Sequence, residues 1–289
     1  MKVVIWGATG QDGFYLSELF SDLQFEVKKI GRKHQEGFLD IDITDFEQVQ
    51  RFVSDYRPDY LFNFAANSTT NHSAWKENHE TISTGCLNLL EAVRLTSPST
   101  RVFLSGSGLQ FQNSNRPIKE TDPFEATSMY AVSRIQSVYA ARYYRKLGLK
   151  IYVGYFFNHD SPFRSERHIN SKIMNAARRI ANGSHEKLAI GDLDARKEFG
   201  FAGDIVKAVW LMVQQDVVKE AAIGTGKSHS IEEWVNLCFS LHGLNWRDHV
   251  VTEEGFKSEY KTLVSDPSTI FSMGWKPEVT IEGLAKMMG

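Results

Sequence analysis

The sequence predicts an α/β fold, a doubly wound parallel sheet with a smaller C-terminal lobe. Three observations predict it. Short apolar runs, too brief for helices, alternate with longer segments of helical periodicity as far as Phe157. A glycine-rich turn joins the first apolar run to the first helical segment. From Asn158 onward the chain turns polar and irregular before its helical segments resume, as a lobe interleaved with returns to the sheet would require.

The opening stretch carries the strongest signal. Val3–Trp6 reads as a buried strand, and Gly7, Gly10 and Gly13 follow in the spacing G-x-x-G-x-x-G. The apolar residues then change period, with Phe14, Leu16, Leu19 and Phe20 on one helical face. Three glycines alone would also suit a surface turn. Between a strand and an amphipathic helix they read as the start of a dinucleotide-binding, Rossmann-type βαβ unit. One glycine permits the tight turn, one lets backbone approach a pyrophosphate, and one lets helix pack on strand. The anion would sit at the positive end of the helix dipole, with Thr9, Gln11 and Asp12 beside it.

Phe25–Ile30 reads as the second strand and ends at Gly31-Arg32-Lys33. A carboxylate here would bind the ribose 2′-hydroxyl of NAD, whereas basic residues accommodate a 2′-phosphate. Arg32 and Lys33 therefore favour NADP(H), with NAD(H) as the alternative. Phe38–Ile43 is a third strand whose end offers Asp42 and Ile43 to an adenine. Asp45–Tyr56 has helical spacing and stops before Pro58. Tyr60–Ala65 is an apolar strand, and the small residues Ala65 and Ala66 at its end allow close approach of a cofactor. Helix Thr81–Arg94, strand Arg101–Leu104, helix Tyr130–Leu147 and strand Lys150–Phe156 continue the alternation. Helices are expected over Ser171–Asn182, Asp204–Gln215 and Ser230–Leu241, and a strand over Ala221–Gly224. Residues 1–157 form the cofactor domain, with a return to the sheet around 204–226, and 158–203 and 227–289 form the second lobe.

Composition excludes several classes. The chain has 289 residues, 42% hydrophobic and 24% charged, with a formal net charge of −2. That is an ordinary globular balance with no electrostatic signature of nucleic-acid or membrane binding. Cys86 and Cys238 both lie in apolar helical patterns and read as packed thiols. The chain enters a strand at residue 2, and no apolar run approaches the roughly 18 residues of a membrane span. A cytoplasmic location is expected. His159 has no ligand partner at useful spacing, so no metal site is expected.

The chemistry lies in Ser105-Gly106-Ser107 and in Tyr130 with Arg134 four positions on. The serines end a sheet strand, facing the crevice where open α/β sheets bind ligands. A tyrosine is a usable general base at neutral pH only where a nearby cation favours its phenolate. With a serine hydroxyl on the same substrate oxygen, such a pair could exchange a sugar hydroxyl proton while a nicotinamide gives or takes hydride.

These residues resemble the extended short-chain dehydrogenase/reductases, with their G-x-x-G-x-x-G, Ser/Thr and Y-x-x-x-K. More narrowly, the chain is similar to the GDP-mannose 4,6-dehydratase family and to the related GDP-4-keto-6-deoxymannose reductases. The matching stretches are GATGQDGFYL (7–16), DITD (42–45), FNHDSP (157–162), EKLAIGDLDARKEFGFAGDIVKAVWLM (186–212) and MGWKPEV (273–279). The resemblance implies a nucleotide-diphosphate sugar as substrate, GDP-linked, with Asn158 on the sugar and Lys172, Lys197 and Lys257 toward the nucleotide. It implies Ser107, Tyr130 and Arg134 as the catalytic set.

Four departures qualify it. The dehydratase Thr and Glu, two positions apart, align with Ser107 and Leu109. Leucine transfers no proton, and lost acid–base help costs about 10²- to 10⁴-fold. Glu120 and Asp122 in the following loop are the nearest substitutes. Arg134 replaces the lysine of Y-x-x-x-K, keeping the cation without the proton relay. Two family arginines are Lys197 and Lys257 here, so a bidentate grip on phosphate becomes single-point. The loop after the second strand is short, which favours a homodimer over a tetramer. The expected activity is NADP(H)-dependent oxidation or reduction at C4 of a GDP-linked hexose. The alternatives are a 4,6-dehydratase with a substitute carboxylate, and a weakly active or inactive cofactor-binding partner of a true dehydratase.

Overall fold

The computed structural model describes residues 1–289 except Arg32–His34, Glu254 and Lys257. The expectations placed on Arg32, Lys33 and Lys257 therefore lie outside the described residues. The first half runs β1 (Lys2–Trp6), α1 (Gln11–Asp22), β2 (Glu26–Gly31), β3 (Leu39–Asp40), α2 (Phe46–Tyr56), β4 (Tyr60–Asn63), α3 (Trp75–Asn78), α4 (Gly85–Thr96), β5 (Arg101–Ser107), α5 (Met129–Lys146) and β6 (Lys150–Phe156). There follow β7 (His159–Asp160), α6 (Ile169–Ala181), β8 (Leu188–Ile190), β9 (Arg196–Glu198), β10 (Gly200–Phe201), α7 (Ala202–Val213) and β11 (Glu220–Ile223). The chain ends with β12 (Ser228–Ser230), α8 (Ile231–Leu241), β13 (Val250–Thr252), β14 (Thr262–Leu263), α9 (Ser268–Ser272) and α10 (Ile281–Met288).

Seven strands form one parallel sheet in the order β11-β6-β5-β4-β1-β2-β3. The chain leaves β1 toward β2 on one side and later resumes at β4 on the other. That reversal opens a crevice beyond the carboxyl ends of β1 and β4, where such sheets take their ligands. Alternation along the strands sends Val4 and Leu104 into one core with Val49, Val53, Leu89 and Val138, from α2, α4 and α5. Val3, Ile5 and Phe103 enter the opposite core with Leu16, Phe20 and Val209, from α1 and α7. Residues 173–180, 231–239 and 281–288 supply most of a third core in the lobe, centred on Trp234 and Phe239.

Local chemistry sets the element ends. Asp45 caps α2, its carboxylate accepting from the Gln48 amide at 3.1 Å, and Arg57 closes the helix in the left-handed region before Pro58. The third strand is shorter than its apolar run suggests. Asp42 turns its carboxylate onto the Thr44 amide and hydroxyl, both at 2.9 Å, and so ends the ladder after Asp40. The long helix expected from Thr81 is interrupted by a wide π-type turn over His79–Thr84 before α4 begins at Gly85. Near the C-terminus, Ile270 and Trp275 pack into the sheet core and not into the lobe. Both cysteines are free and buried. Among the described residues, no helix is long and apolar enough to cross a membrane.

The lobe is fastened to the sheet by a buried carboxylate. Glu198 of β9 accepts from the Ser265 amide and hydroxyl, both at 2.6 Å, and from the Thr225 amide and hydroxyl. Burial pushes its carboxyl above the usual value, and these four donors oppose that push.

Candidate active site

The glycine turn builds the floor of the crevice. Gly7 has φ +76°, and a Cβ there would lie 2.7 Å from the Ala65 amide nitrogen. A Cβ on Gly13 would lie 2.5 Å from Ala8 Cα and 2.7 Å from the Gly7 carbonyl oxygen. Only hydrogen fits at either position, so β1, the end of β4 and the start of α1 close into one cradle. Gly10 stands before α1 and offers no side-chain cap, which leaves the first-turn amides directed at the crevice. Thr9 is exposed and lies against Gly31 at the end of β2. The cradle suits a dinucleotide diphosphate, with Ala66 on its wall.

The opposite wall comes from β5 and α5. Ser128 caps α5, its hydroxyl oxygen accepting from the Ala131 amide at 3.2 Å, and so places Tyr130 in the first turn. Tyr130 is 7% exposed and lines the crevice with Gly7, Gly10 and Gly13. One turn on, Arg134 Nε donates to Tyr130 Oη at 3.3 Å. Arg134 Nη1 donates to the carbonyl and to the hydroxyl oxygen of Ser105, the latter at 3.0 Å. Ser105 Oγ in turn donates to the Asn63 carbonyl at 3.1 Å. The guanidinium is thus braced by the strand ends while it faces the phenol oxygen.

Ser107 ends β5 as the cap of a short turn. Its Oγ accepts from the Leu109 amide at 3.2 Å, and its amide donates to Gln110 Oε1 at 2.9 Å. That acceptor bond leaves the Ser107 hydroxyl proton available for donation. A Cβ on Gly108 would come within 2.8 Å of the Phe157 ring. Ser105–Phe111 therefore presents hydroxyls and the apolar Leu109 to the crevice, and no carboxylate.

Comparison with known proteins gives the family. The family model for GDP-mannose 4,6 dehydratase matches residues 4–288. The chain belongs to the GDP-mannose 4,6-dehydratase family. GDP-mannose 4,6 dehydratase 2 of Arabidopsis thaliana is 34% identical over 99% of this chain and 85% of the relative. The GDP-mannose 4,6-dehydratase of Vibrio cholerae is 30% identical over 99% and 92%. Among solved structures, RMD from Pseudomonas aeruginosa complexed with NADPH superposes with TM-score 0.85 at 19% identity, over 99% of this chain and 97% of that one. UDP-glucose 4-epimerase of Thermus thermophilus complexed with NAD gives 0.84 at 22% identity, over 100% and 99%.

Few charges set the electrostatics of the crevice. Among its described residues the one carboxylate is Asp12, 2.8 Å from His159 Nε2. Burial works to raise the Asp12 carboxyl, but His159, Arg164 and Arg134 hold it below the usual carboxylate value. Glu120 instead binds the Ala222 amide at 3.3 Å and the Thr269 hydroxyl, and lines a separate surface cavity with Asp122, Tyr139 and Arg142. Neither substitute carboxylate proposed from the sequence reaches the crevice, because their loop folds back toward β11 and α9.

The other expected site residues divide. Asn158 lines the crevice. Lys172 Nζ donates to the Ala189 carbonyl at 3.1 Å. Lys197 is buried against the Phe199 ring near Asp160, and burial brings its ammonium down to about 8. Asp42 is occupied by Thr44, and Ile43 packs beneath Gly85 of α4. Three ionisable crevice residues, His159, Arg164 and His168, have no site role in the reading of the sequence, which weighs His159 only as a metal ligand. Burial and then Arg164 lower His168 to about 4, so it is neutral at physiological pH. The signal available was the FNHDSP stretch, whose histidine finds its partner only across the fold.

Proposed function

We propose that this chain is an NADP(H)-dependent oxidoreductase that exchanges hydride at C4 of a nucleotide-linked hexose, GDP-linked by family, and that it is a poor dehydratase. The observation that carries the reading is the Tyr130 phenol, bonded to Arg134, in a crevice floored by the glycine turn and lacking any free carboxylate among its described residues. The cradle of Gly7, Gly10 and Gly13 would hold the diphosphate, and the cofactor supplies or accepts the hydride.

The remaining work falls to this chain. In the reducing direction, Tyr130 Oη gives its proton to the C4 carbonyl oxygen as hydride reaches C4, and the carbonyl becomes an alcohol. The phenolate left behind faces Arg134 Nε, whose fixed charge stabilises it without reorganisation. Ser107 Oγ donates to the same oxygen and orients it. Arginine relays no proton, so Tyr130 recovers its own from water at the crevice mouth. Dehydration requires in addition a base for C5 and an acid for the departing C6 oxygen. Leu109 offers neither, and Asp12 is tied to His159.

Homodimer formation is supported by exposed apolar side chains spaced along two adjacent helices, Leu87 and Leu95 on α4, Tyr139 and Tyr143 on α5. The activity is tested by incubating the protein with NADPH and a GDP-4-keto-6-deoxyhexose, and separately with GDP-mannose and NADP⁺. Loss of nicotinamide absorbance in the first mixture with GDP-mannose unchanged in the second is the expected result. A 4-keto-6-deoxy product from GDP-mannose, without net cofactor turnover, would overturn the reading.

A further inference from the structure

Asp12 puts a negative charge where a diphosphate-binding turn tolerates one least. It is the second residue of α1, at the uncapped end whose amides face the crevice. An uncompensated carboxylate there competes with an incoming diphosphate for the same positive helix end. Its partner comes from across the crevice. His159 Nε2 lies 2.8 Å from Asp12 Oδ1, and Nδ1 lies 2.8 Å from the Phe157 carbonyl oxygen. A carbonyl and an ionised carboxylate only accept, so both ring nitrogens carry protons and His159 is an imidazolium. Two neutral bonds reinforce the link. Gln11 Nε2 donates to the His159 carbonyl at 3.1 Å, and Ser161 Oγ donates to Gln11 Oε1 at 2.9 Å.

Resting on the dinucleotide-binding part of the reading above, we infer that His159 is a positioning residue for the cofactor. Its imidazolium cancels the Asp12 charge and holds the glycine turn against β7, so tight dinucleotide binding requires His159 to be protonated.

Among the described residues the charged groups facing the pair are few. Asp12 comes from α1, Arg164 from the segment after β7, and Arg134 of α5 acts on Asp12. Asp160 pairs with Arg164 at 3.2 Å, and His168 and Lys197 feel the charges of both. The Phe156 ring, 5.4 Å away and edge-on, adds no charge. Burial works to lower His159, but the charge and hydrogen bond of Asp12 prevail and hold it above its ordinary 6.5. Affinity is therefore greatest on the acid side of that raised value and falls as pH rises through it. By linkage the loss is about tenfold for each unit by which the bound diphosphate raises the titration point of His159.

The test is the binding of NADPH and NADH to the full chain, followed by nicotinamide fluorescence from neutral to alkaline pH. NADH lacks the titrating 2′-phosphate, so a shared pH dependence belongs to the protein. Both affinities are expected to fall about tenfold in parallel. His159→Gln keeps a donor for Asp12 but no charge. It is expected to bind about tenfold more weakly at neutral pH, with no pH dependence. Adding Asp12→Asn in that background restores affinity, which a mere packing role for His159 would not allow. Imidazole ¹⁵N shifts of the wild type at neutral pH are expected to show both nitrogens protonated, and a neutral ring there overturns the inference. Wild-type binding independent of pH, or failure of Asp12→Asn to rescue His159→Gln, overturns the inference while leaving the cofactor assignment standing. Failure of both nucleotides to bind at any pH overturns the dinucleotide reading, and the inference with it.

Discussion

Replacing Gly13 by alanine tests the cradle with two opposing effects of known size. Gly13 lies inside α1, where Gly→Ala gains about 1 kcal/mol of helix propensity. The added methyl would lie 2.5 Å from Ala8 Cα, 2.7 Å from the Gly7 carbonyl oxygen and 3.0 Å from the Ala8 carbonyl carbon. All three neighbours are backbone, so no side chain can rotate aside. The helix must move off the turn, at an overpacking cost of about 1–3 kcal/mol. Against the propensity gain, the balance is a net loss of up to about 2 kcal/mol. The same displacement carries the first-turn amides away from the diphosphate, and NADPH affinity falls about tenfold or more, equivalent to about 1.4 kcal/mol. Thermal unfolding reads the first effect and fluorescence titration the second. Gly148→Ala is the control, because Gly148 has φ +96° with nothing within 4 Å of the added carbon. It costs about 1–2 kcal/mol of backbone strain and leaves NADPH binding unchanged. A Gly13→Ala protein as stable as wild type that binds NADPH equally well would refute the close packing of α1 on the turn.

Tyr130→Phe keeps the buried ring and the guanidinium 5.3 Å from its centroid, but removes the transferable proton. Turnover with a 4-keto sugar is expected to fall about 10²- to 10⁴-fold with NADPH affinity little changed, and a rate near wild type contradicts the assignment. Leu109→Glu restores a carboxylate to the crevice wall, and mass spectrometry of GDP-mannose incubations should then reveal a 4-keto-6-deoxy product that the wild type does not form. Glu220 is gripped by Arg142, through Nε at 3.0 Å and Nη2 at 2.7 Å, and by Arg145 and Tyr155. Although burial works to raise it, these partners hold its carboxyl down from 4.5 to about 2. That stabilisation is present above the unfolded value and is lost as pH falls toward the folded one. Glu220→Gln should cost about 3 kcal/mol near neutrality, with the deficit shrinking in denaturant titrations as pH is lowered.

The sheet and the glycine cradle were legible because they are written locally. Period changes marked β1 and α1, and three glycines at fixed spacing marked the close approach of α1 to Ala8. Tyr130 and Arg134 were legible for the same reason, since four residues on a helix is one turn. The third strand was overread because an apolar run does not reveal that Asp42 will spend its carboxylate on Thr44. The bond of Lys172 to the Ala189 carbonyl was not legible, because it depends on how α6 meets β8. His159 illustrates the deeper limit. Its partner Asp12 lies 147 positions away, and the two meet only once β7, just beyond the end of β6, is placed beside the start of α1. The loop bearing Glu120 and Asp122 follows the same rule, because its direction is set by contacts with Ala222 and Thr269 distant in the chain.

The most direct measurement follows the hydride itself. NADPH deuterated at the transferring position of the nicotinamide is incubated with the protein and a GDP-4-keto-6-deoxyhexose, and the product sugar is examined by NMR and mass spectrometry. One deuterium at C4, with wild-type protein and not with Tyr130→Phe, is the outcome expected of a phenol–guanidinium pair serving a hydride acceptor. Product without label at C4, or label delivered equally well by the phenylalanine variant, would contradict it.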